Sequence, residues 1–198
     1  MRQSGTLGGN VANGSPIGDS IPLLIALGAQ VVLMAWRKGR MDHRHVPLDQ
    51  FYTGYRQSRM QPDEVLGWIV VPRPRAEKNA PEWLGAYKVS KRIEDDISAV
   101  CLVVQLRLNG DRILDVRIGA GGVAATPVRA LQTEAALRGK VWNEATLEQA
   151  QKAIRQAFSP LDDLRASAAY RRNLLGQLLR RAWLESTGST TVRLEDLS

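Results

Sequence analysis

The sequence is poor in the residues that most active sites are built from. A single cysteine, Cys101, excludes an internal disulfide framework and any four-cysteine iron-sulfur cluster within the chain. It sits in the apolar stretch Ala99-Val100-Cys101-Leu102-Val103-Val104, which reads as a buried strand carrying its thiol as a small hydrophobe. The two histidines, His43 and His45, have no third or fourth ligand near them, so residues 41–45 read as a solvated polar turn and no metal site is expected. No Ser-His-Asp or Cys-His set suggests itself, and no catalytic side chain is assigned. No apolar run approaches the roughly 18 to 20 residues that cross a bilayer; the longest, 21–28, reads as a short buried helix. The first five residues lack the apolar stretch of a signal peptide, and a cytoplasmic protein is expected.

Charge is not scarce: the formal net charge is +7 over 198 residues. The arginines are nonetheless scattered among Glu and Asp rather than set in a stripe with aromatics, so nucleic acid is not the expected partner. The arginine-rich stretch 170–181 reads as a solvated or subunit-contacting helix face.

What the sequence does have is glycine in one place. Thr6-Leu7-Gly8-Gly9-Asn10-Val11-Ala12-Asn13-Gly14-Ser15-Pro16-Ile17-Gly18-Asp19 combines four glycines, two asparagines and small hydroxyl residues. It reads as a loop that turns sharply and lies against a ligand. The hydroxyl of Ser20 and the early Pro22 then start an apolar helix over 23–27 that ends at Gly28, and the amides gathered there suit phosphate or a polar cofactor edge.

Further along, residues 30–36 read as a buried strand, 37–40 as its turn, and 46–55 as a short strand passing into a helical turn capped by Asp49. Residues 65–71 form an apolar strand, and the proline-rich stretch 72–81 a linker. In the second half, 99–108 and 112–119 are paired strands joined at Asn109-Gly110. Thr126-Pro127 opens a helix that Gly139 stops, Asn143 caps another over 145–158, and a final helix covers 166–184. The stretch 119–122, with three glycines, reads as a tight structural turn, and the polar tail from Gly188 as frayed.

The order of residues in 6–29 resembles the FAD-binding domain of molybdenum hydroxylase flavoproteins, and in particular the small subunit of bacterial xanthine dehydrogenases. A second run, Tyr87-Lys88-Val89-Ser90-Lys91-Arg92-Ile93-Glu94-Asp95-Asp96-Ile97-Ser98, resembles the paired-acid motif of the xanthine dehydrogenase branch, where the carbon monoxide dehydrogenase branch usually carries a glycine. A third, residues 118–130, resembles the strand-to-helix turn of the family's C-terminal flavoprotein domain. The resemblance implies an α+β chain: the second half of a VAO/PCMH-type FAD-binding domain over 1–75, a linker over 76–82, a sheet-and-helix flavoprotein domain over 83–187 and a tail over 188–198.

By the same resemblance Thr6, Leu7, Gly8, Gly9 and Asn10 line FAD with their backbone. Asp19 matches an acidic position that contacts the cofactor, where a hydrogen bond to a ribose or ribityl hydroxyl is the sensible role for a carboxylate; it also reads as a helix N-cap. Leu66 matches a position packed on the cofactor. Lys88 matches a cofactor-contacting lysine, whose ammonium can stabilise negative charge gained on reduction; outside the motif it is a solvent-facing strand residue. Asp95 is a second-rank candidate for tuning flavin electrostatics. The implied activity carries electrons from purine hydroxylation (xanthine or hypoxanthine) on a molybdenum-binding large subunit through 2Fe-2S clusters, held elsewhere in the complex, to FAD and then NAD+. The match starts inside the family's FAD domain, without the earlier pyrophosphate-cradling subdomain and iron-sulfur region. The chain alone is therefore expected to bind FAD weakly or not at all. The rival reading is a non-catalytic module that docks a molybdenum-binding partner.

Overall fold

The computed structural model describes residues 5–74, 80–92 and 97–188. The glycine-rich start is a loop only over 14–19; its first half is helical. It winds into helix α1, Leu7–Asn13, followed by α2, Ser20–Ala26. Local propensity disfavours a helix at Gly8 and Gly9, but both ends are capped: Thr6 Oγ1 accepts from Gly9 N at 3.0 Å, and Gly14 takes a left-handed φ of 61° and returns its N–H to Asn10 O. The helix is then held by packing, with Val11 fully buried and its carbonyl accepting from the Tyr52 hydroxyl at 2.8 Å. Asp19, not Ser20, occupies the cap position of α2.

A three-stranded antiparallel sheet follows, in the order β2 (Arg40–Pro47), β1 (Gln30–Arg37) and β5 (Val65–Val70). Strand β1, Gln30–Arg37, is as expected, and the two-residue turn Lys38-Gly39, both with positive φ, sends the chain straight back as β2, Arg40–Pro47. The polar stretch around His43 and His45 is thus a strand rather than a turn. It lies at a sheet edge and is mostly exposed, where polar side chains cost nothing. Beyond it come a 3-10 turn, Leu48–Gln50, and a small hairpin of β3, Tyr52–Gly54, and β4, Gln57–Ser58. Asp49 does not cap that turn; it pairs with Arg129 at 3.1 Å. Strand β5, Val65–Val70, closes the sheet.

The second sheet is antiparallel in the order β6-β7-β8-β9, comprising Glu82–Val89, Val100–Asn109, Arg112–Gly121 and Val128–Arg129. The hairpin turn is one residue later than expected: Asn109 pairs with Arg112, leaving Gly110 and Asp111 as the loop. Gly119 and Gly121 belong to β8, not to a turn, while Gly122 takes a φ of 78°. Residues 128–129 are drawn into the sheet as β9, so helix α3 begins only at Leu131 and runs to Leu137. Helix α4, Glu144–Gln156, is capped by Asn143 as expected, and α5, Ala168–Ser186, by Ser167.

This sheet is covered on both faces. Leu102, Val104, Leu106, Val116, Ile118 and Ala120 pack against α3, α4 and α5 in the main core, while Cys101 and Val103 point the other way onto Leu23 and Ala26 of α2. Burial on both sides explains why β7 reads as a continuous apolar run rather than an alternation. Helix α2 also serves the first half, since Ile21, Leu24 and Ile25 join Val31, Leu33 and Phe51 in a second core. The stretch read as a solvated basic face holds one exception. Arg171 is 2 % exposed, its guanidinium satisfied by the carbonyls of Ala99 and Gly122 and by Asp163 at 2.5 Å.

Candidate functional site

Eight of the residues singled out in sequence come from four elements, which the structure links in turn: β5 to α1 at Leu66 and Gly8, α1 to α2 at Asn10 and Ser20, and α2 to β6 at Asp19 and Lys88. Gly8 of α1 faces β5: a Cβ built on it would lie 3.9 Å from Leu66 Cδ2. Asn10, one turn on, accepts a hydrogen bond from the Ser20 hydroxyl at 2.6 Å, which ties α1 to the start of α2 beside Asp19. Asp19 in turn meets Lys88 of β6, with Nζ 2.9 Å from Oδ2. The series of contacts therefore runs from Leu66 past α1 to the Asp19–Lys88 pair. Asp95 lies outside the described residues.

Local structure explains each placement. Lys88 pairs across the sheet with Cys101, so it is on the α2 side, the face to which Cys101 and Val103 also point. Asp19 is carried there by the close seating of α2 on β8, where a Cβ on Gly119 would come within 2.0 Å of Pro22 O. Asp19 holds the cap position, yet its side chain makes no capping bond and reaches outward to Lys88 and to the hydroxyl of Ser98.

Exposure separates this pair from a structural one. The Lys88 and Asp19 side chains are 42 % and 40 % exposed, and an ion pair in such a setting contributes about 0–1 kcal/mol to stability. The pair adds little to folding and stays open to a ligand. Beneath it, burial pushes the Cys101 thiol up to about 12, with the Asp19 carboxylate adding to the shift, so this cysteine is a packed neighbour and not a nucleophile.

Sequence reasoning missed Ser98, which lies at the end of the acidic motif and is 1 % exposed. A small hydroxyl beside a strand carries no signal of its own; only the fold shows that it faces a carboxylate. The concavity of about 170 Å³ lined by Leu27, Gly28, Arg73, Gln105, Arg107 and Arg117, among others, contains none of the eight residues. Among the described residues no group of three His, Cys, Asp or Glu is arranged to hold a metal, and no helix is long and apolar enough to cross a membrane.

Residues 85–186 match the family model of the CO dehydrogenase flavoprotein C-terminal domain, and residues 1–74 match that of the FAD binding domain in molybdopterin dehydrogenase. The chain belongs to the CO dehydrogenase and xanthine dehydrogenase type of flavoprotein. FAD is the cofactor of this family's binding domain. Relatives of this flavoprotein chain include the nicotinate hydroxylase hnxS of Emericella nidulans, 32% identical over 92% of this chain and 14% of that one. Others are the xanthine dehydrogenase/oxidase of Gallus gallus (37% identical, 76% and 11%) and the carbon monoxide dehydrogenase medium chain of Hydrogenophaga pseudoflava (32%, 92% and 60%). The chain thus spans a small part of the first two and three fifths of the third. A solved carbon monoxide dehydrogenase from Hydrogenophaga pseudoflava superimposes with a TM-score of 0.81 at 31% identity, covering 91% of this chain and 60% of that one. The α+β architecture of paired FAD-binding and flavoprotein C-terminal parts is the one expected.

Proposed function

We propose that this flavoprotein chain is the FAD-carrying part of a xanthine dehydrogenase-type molybdenum hydroxylase. It would act in the cytoplasm with a molybdenum-binding large subunit, an iron-sulfur domain and NAD+ as acceptor. The observation that carries the proposal is the meeting of Asp19 and Lys88, 69 positions apart in sequence, at the end of the series of contacts that Leu66 and α1 begin. The acidic run Glu94-Asp95-Asp96 favours the xanthine branch and an N-heterocyclic substrate such as xanthine or hypoxanthine, and the chicken xanthine dehydrogenase/oxidase is among the relatives.

Bound FAD would supply the exchange of electrons between iron-sulfur carriers and NAD+. The chain supplies placement and charge. The backbone of Thr6, Leu7, Gly8, Gly9 and Asn10 lines the cofactor, and Leu66 packs on it. A carboxylate oxygen of Asp19 accepts a hydrogen bond from a ribityl or ribose hydroxyl while both its oxygens keep their present partners, since an ionised carboxylate offers about four acceptor positions. Lys88 holds a fixed positive charge beside the cofactor, favouring the reduced and more negative form. Asp95, in the acidic run, is the second-rank contributor to that field.

A flavin absorbance and fluorescence titration of the chain within its assembled complex, repeated with Asp19→Ala and Lys88→Ala, tests the residues. Each substitution is expected to weaken FAD binding about tenfold or more, as loss of a hydrogen bond to a charged group does. Unchanged affinity in both variants would overturn the assignment. Xanthine-dependent reduction of NAD+ by the complete complex tests the reaction; turnover of CO in place of a heterocycle would overturn the substrate. A stable flavin-free complex with a molybdenum-type subunit would make the chain a docking module instead.

A further inference from the structure

We propose that Ser98 is a positioning residue for the FAD site, holding the Asp19 carboxylate in the orientation that meets the cofactor; this rests on the reading of Asp19 as an FAD contact. The backbone at Asp19 is already helical, at φ −71° and ψ −25°, so its carboxylate does not turn back onto the free amides of the first turn. Its Oδ1 accepts from Ser98 Oγ and its Oδ2 from Lys88 Nζ.

The two partners differ in stiffness. Lys88 reaches Asp19 on a flexible four-carbon stem and can follow the carboxylate through a range of positions. Ser98 cannot, because its side chain is one carbon long and 1 % exposed. Its backbone is pinned through the next residue: Ala99 donates its N–H to Val89 O at 2.8 Å, and its carbonyl accepts from Arg171 Nη1.

Arg171 extends the grip to the other side of Asp19. The same guanidinium nitrogen donates to Gly122 O at 2.8 Å, and the N–H of Gly122 donates to Pro16 O at 2.7 Å, in the connection that leads into α2. One buried arginine of α5 therefore ties down the residue beside Ser98 and the segment that delivers Asp19. The C-terminal helices reach the cofactor site by this route.

The test is FAD release from the purified holoprotein, followed by flavin fluorescence, for Ser98→Ala, Ser98→Thr, Asp19→Ala and the Ser98→Ala/Asp19→Ala double variant. Ser98→Ala is expected to weaken FAD binding about tenfold, the scale of one hydrogen bond to a charged group, and Ser98→Thr, which keeps the hydroxyl, to retain affinity within about threefold. In the Asp19→Ala background, Ser98→Ala should add less than about twofold, because the residue it acts through is gone. Equal losses in both backgrounds would show a merely structural serine and overturn the proposal. Normal affinity in Ser98→Ala alongside weakened Asp19→Ala would overturn the proposal and leave the FAD reading standing. Normal affinity in Asp19→Ala would overturn that reading itself.

Discussion

Replacing Gly119 with alanine should loosen the molecule at the point where its two halves meet. The added Cβ would lie 2.0 Å from Pro22 O, 2.8 Å from Pro22 C and 3.1 Å from Pro22 Cα. All three are backbone atoms of α2, so no side chain can rotate out of the way. Ordinary contact begins near 3.4 Å, so α2 must retreat by roughly 1.4 Å. Overpacking of a tight site costs about 1–3 kcal/mol. A gap of about 1 Å also forfeits a quarter to a half of the dispersion between Leu23 and Ala26 and the Cys101 and Val103 they cover. The upper end applies here, and a loss of about 3 kcal/mol is expected, a large share of the roughly 5–15 kcal/mol that holds a domain. Urea unfolding followed by the fluorescence of the five tryptophans measures it. Gly110→Ala is the control, since Gly110 has a φ of 59° but nothing within 4 Å of its added Cβ, so only backbone strain of about 1 kcal/mol is expected. A Gly119→Ala loss no larger than the control's would refute the close seating of α2, and with it the account of how Asp19 is delivered to Lys88.

Arg171→Met, close in shape but without the guanidinium, should cost about 3 kcal/mol by urea unfolding, because the carbonyls of Ala99 and Gly122 lose their buried donor; a loss below about 1 kcal/mol would contradict the buried geometry. The Cys101 thiol, buried and pushed up to about 12, should not react with a disulfide reagent at neutral pH until urea unfolds the chain, and rapid native labelling would refute its placement under α2. Burial opposes ionisation of Asp163, but the N–H groups of Arg165 and Ala166 and the Arg171 guanidinium outweigh it and bring the carboxyl down to about 2. A folded value below the unfolded one contributes stability that is present above about pH 4 and fades as the pH falls toward 2. The difference in urea midpoint between the parent and Asp163→Asn should narrow across that window; a difference independent of pH would refute the assignment.

The parts legible in sequence are those where local chemistry and tertiary packing agree. Asn143 caps α4 where a cap residue precedes an amphipathic run, and its Oδ1 accepts from Thr146 N at 3.0 Å. Strand β7 was legible because burial on both faces leaves no polar residue over 100–104. The misreadings have a common cause in long-range contacts. Gly8 and Gly9 argue for a loop, but the two caps and the contact with Tyr52, 41 residues from Val11, hold the segment helical. Residues 41–45 look like a turn because an edge strand needs no apolar face, although the turn at 37–40 that precedes them was legible. Arg171 looks like its exposed neighbours, and only the carbonyls that converge on it, from Ala99 and Gly122, make it a core residue. In the site, Asp19 and Lys88 could be named from the motifs around them, but no spacing rule joins residues so far apart.

The apolar run that begins at Ile21 explains why the site and the fold are one problem. A short helix that packed against one sheet would carry an apolar stripe and a polar back. Helix α2 turns Ile21, Leu24 and Ile25 toward the first sheet and Leu23 and Ala26 toward the second, so little of it is left for polar residues. A helix held on two sides can neither slide nor rotate without emptying one core, which fixes the position of its cap. The polar residues are concentrated at that end: Asp19 on Lys88 and Ser98, and Ser20 on Asn10. Each of these bonds joins α2 to an element with its own anchorage, α1 through the Tyr52 contact and β6 and residue 98 through the second sheet. The carboxylate is therefore located by two hydrophobic cores, while its own ion pair adds little to stability. An arrangement in which packing sets the geometry leaves the charges free to be chosen for a ligand.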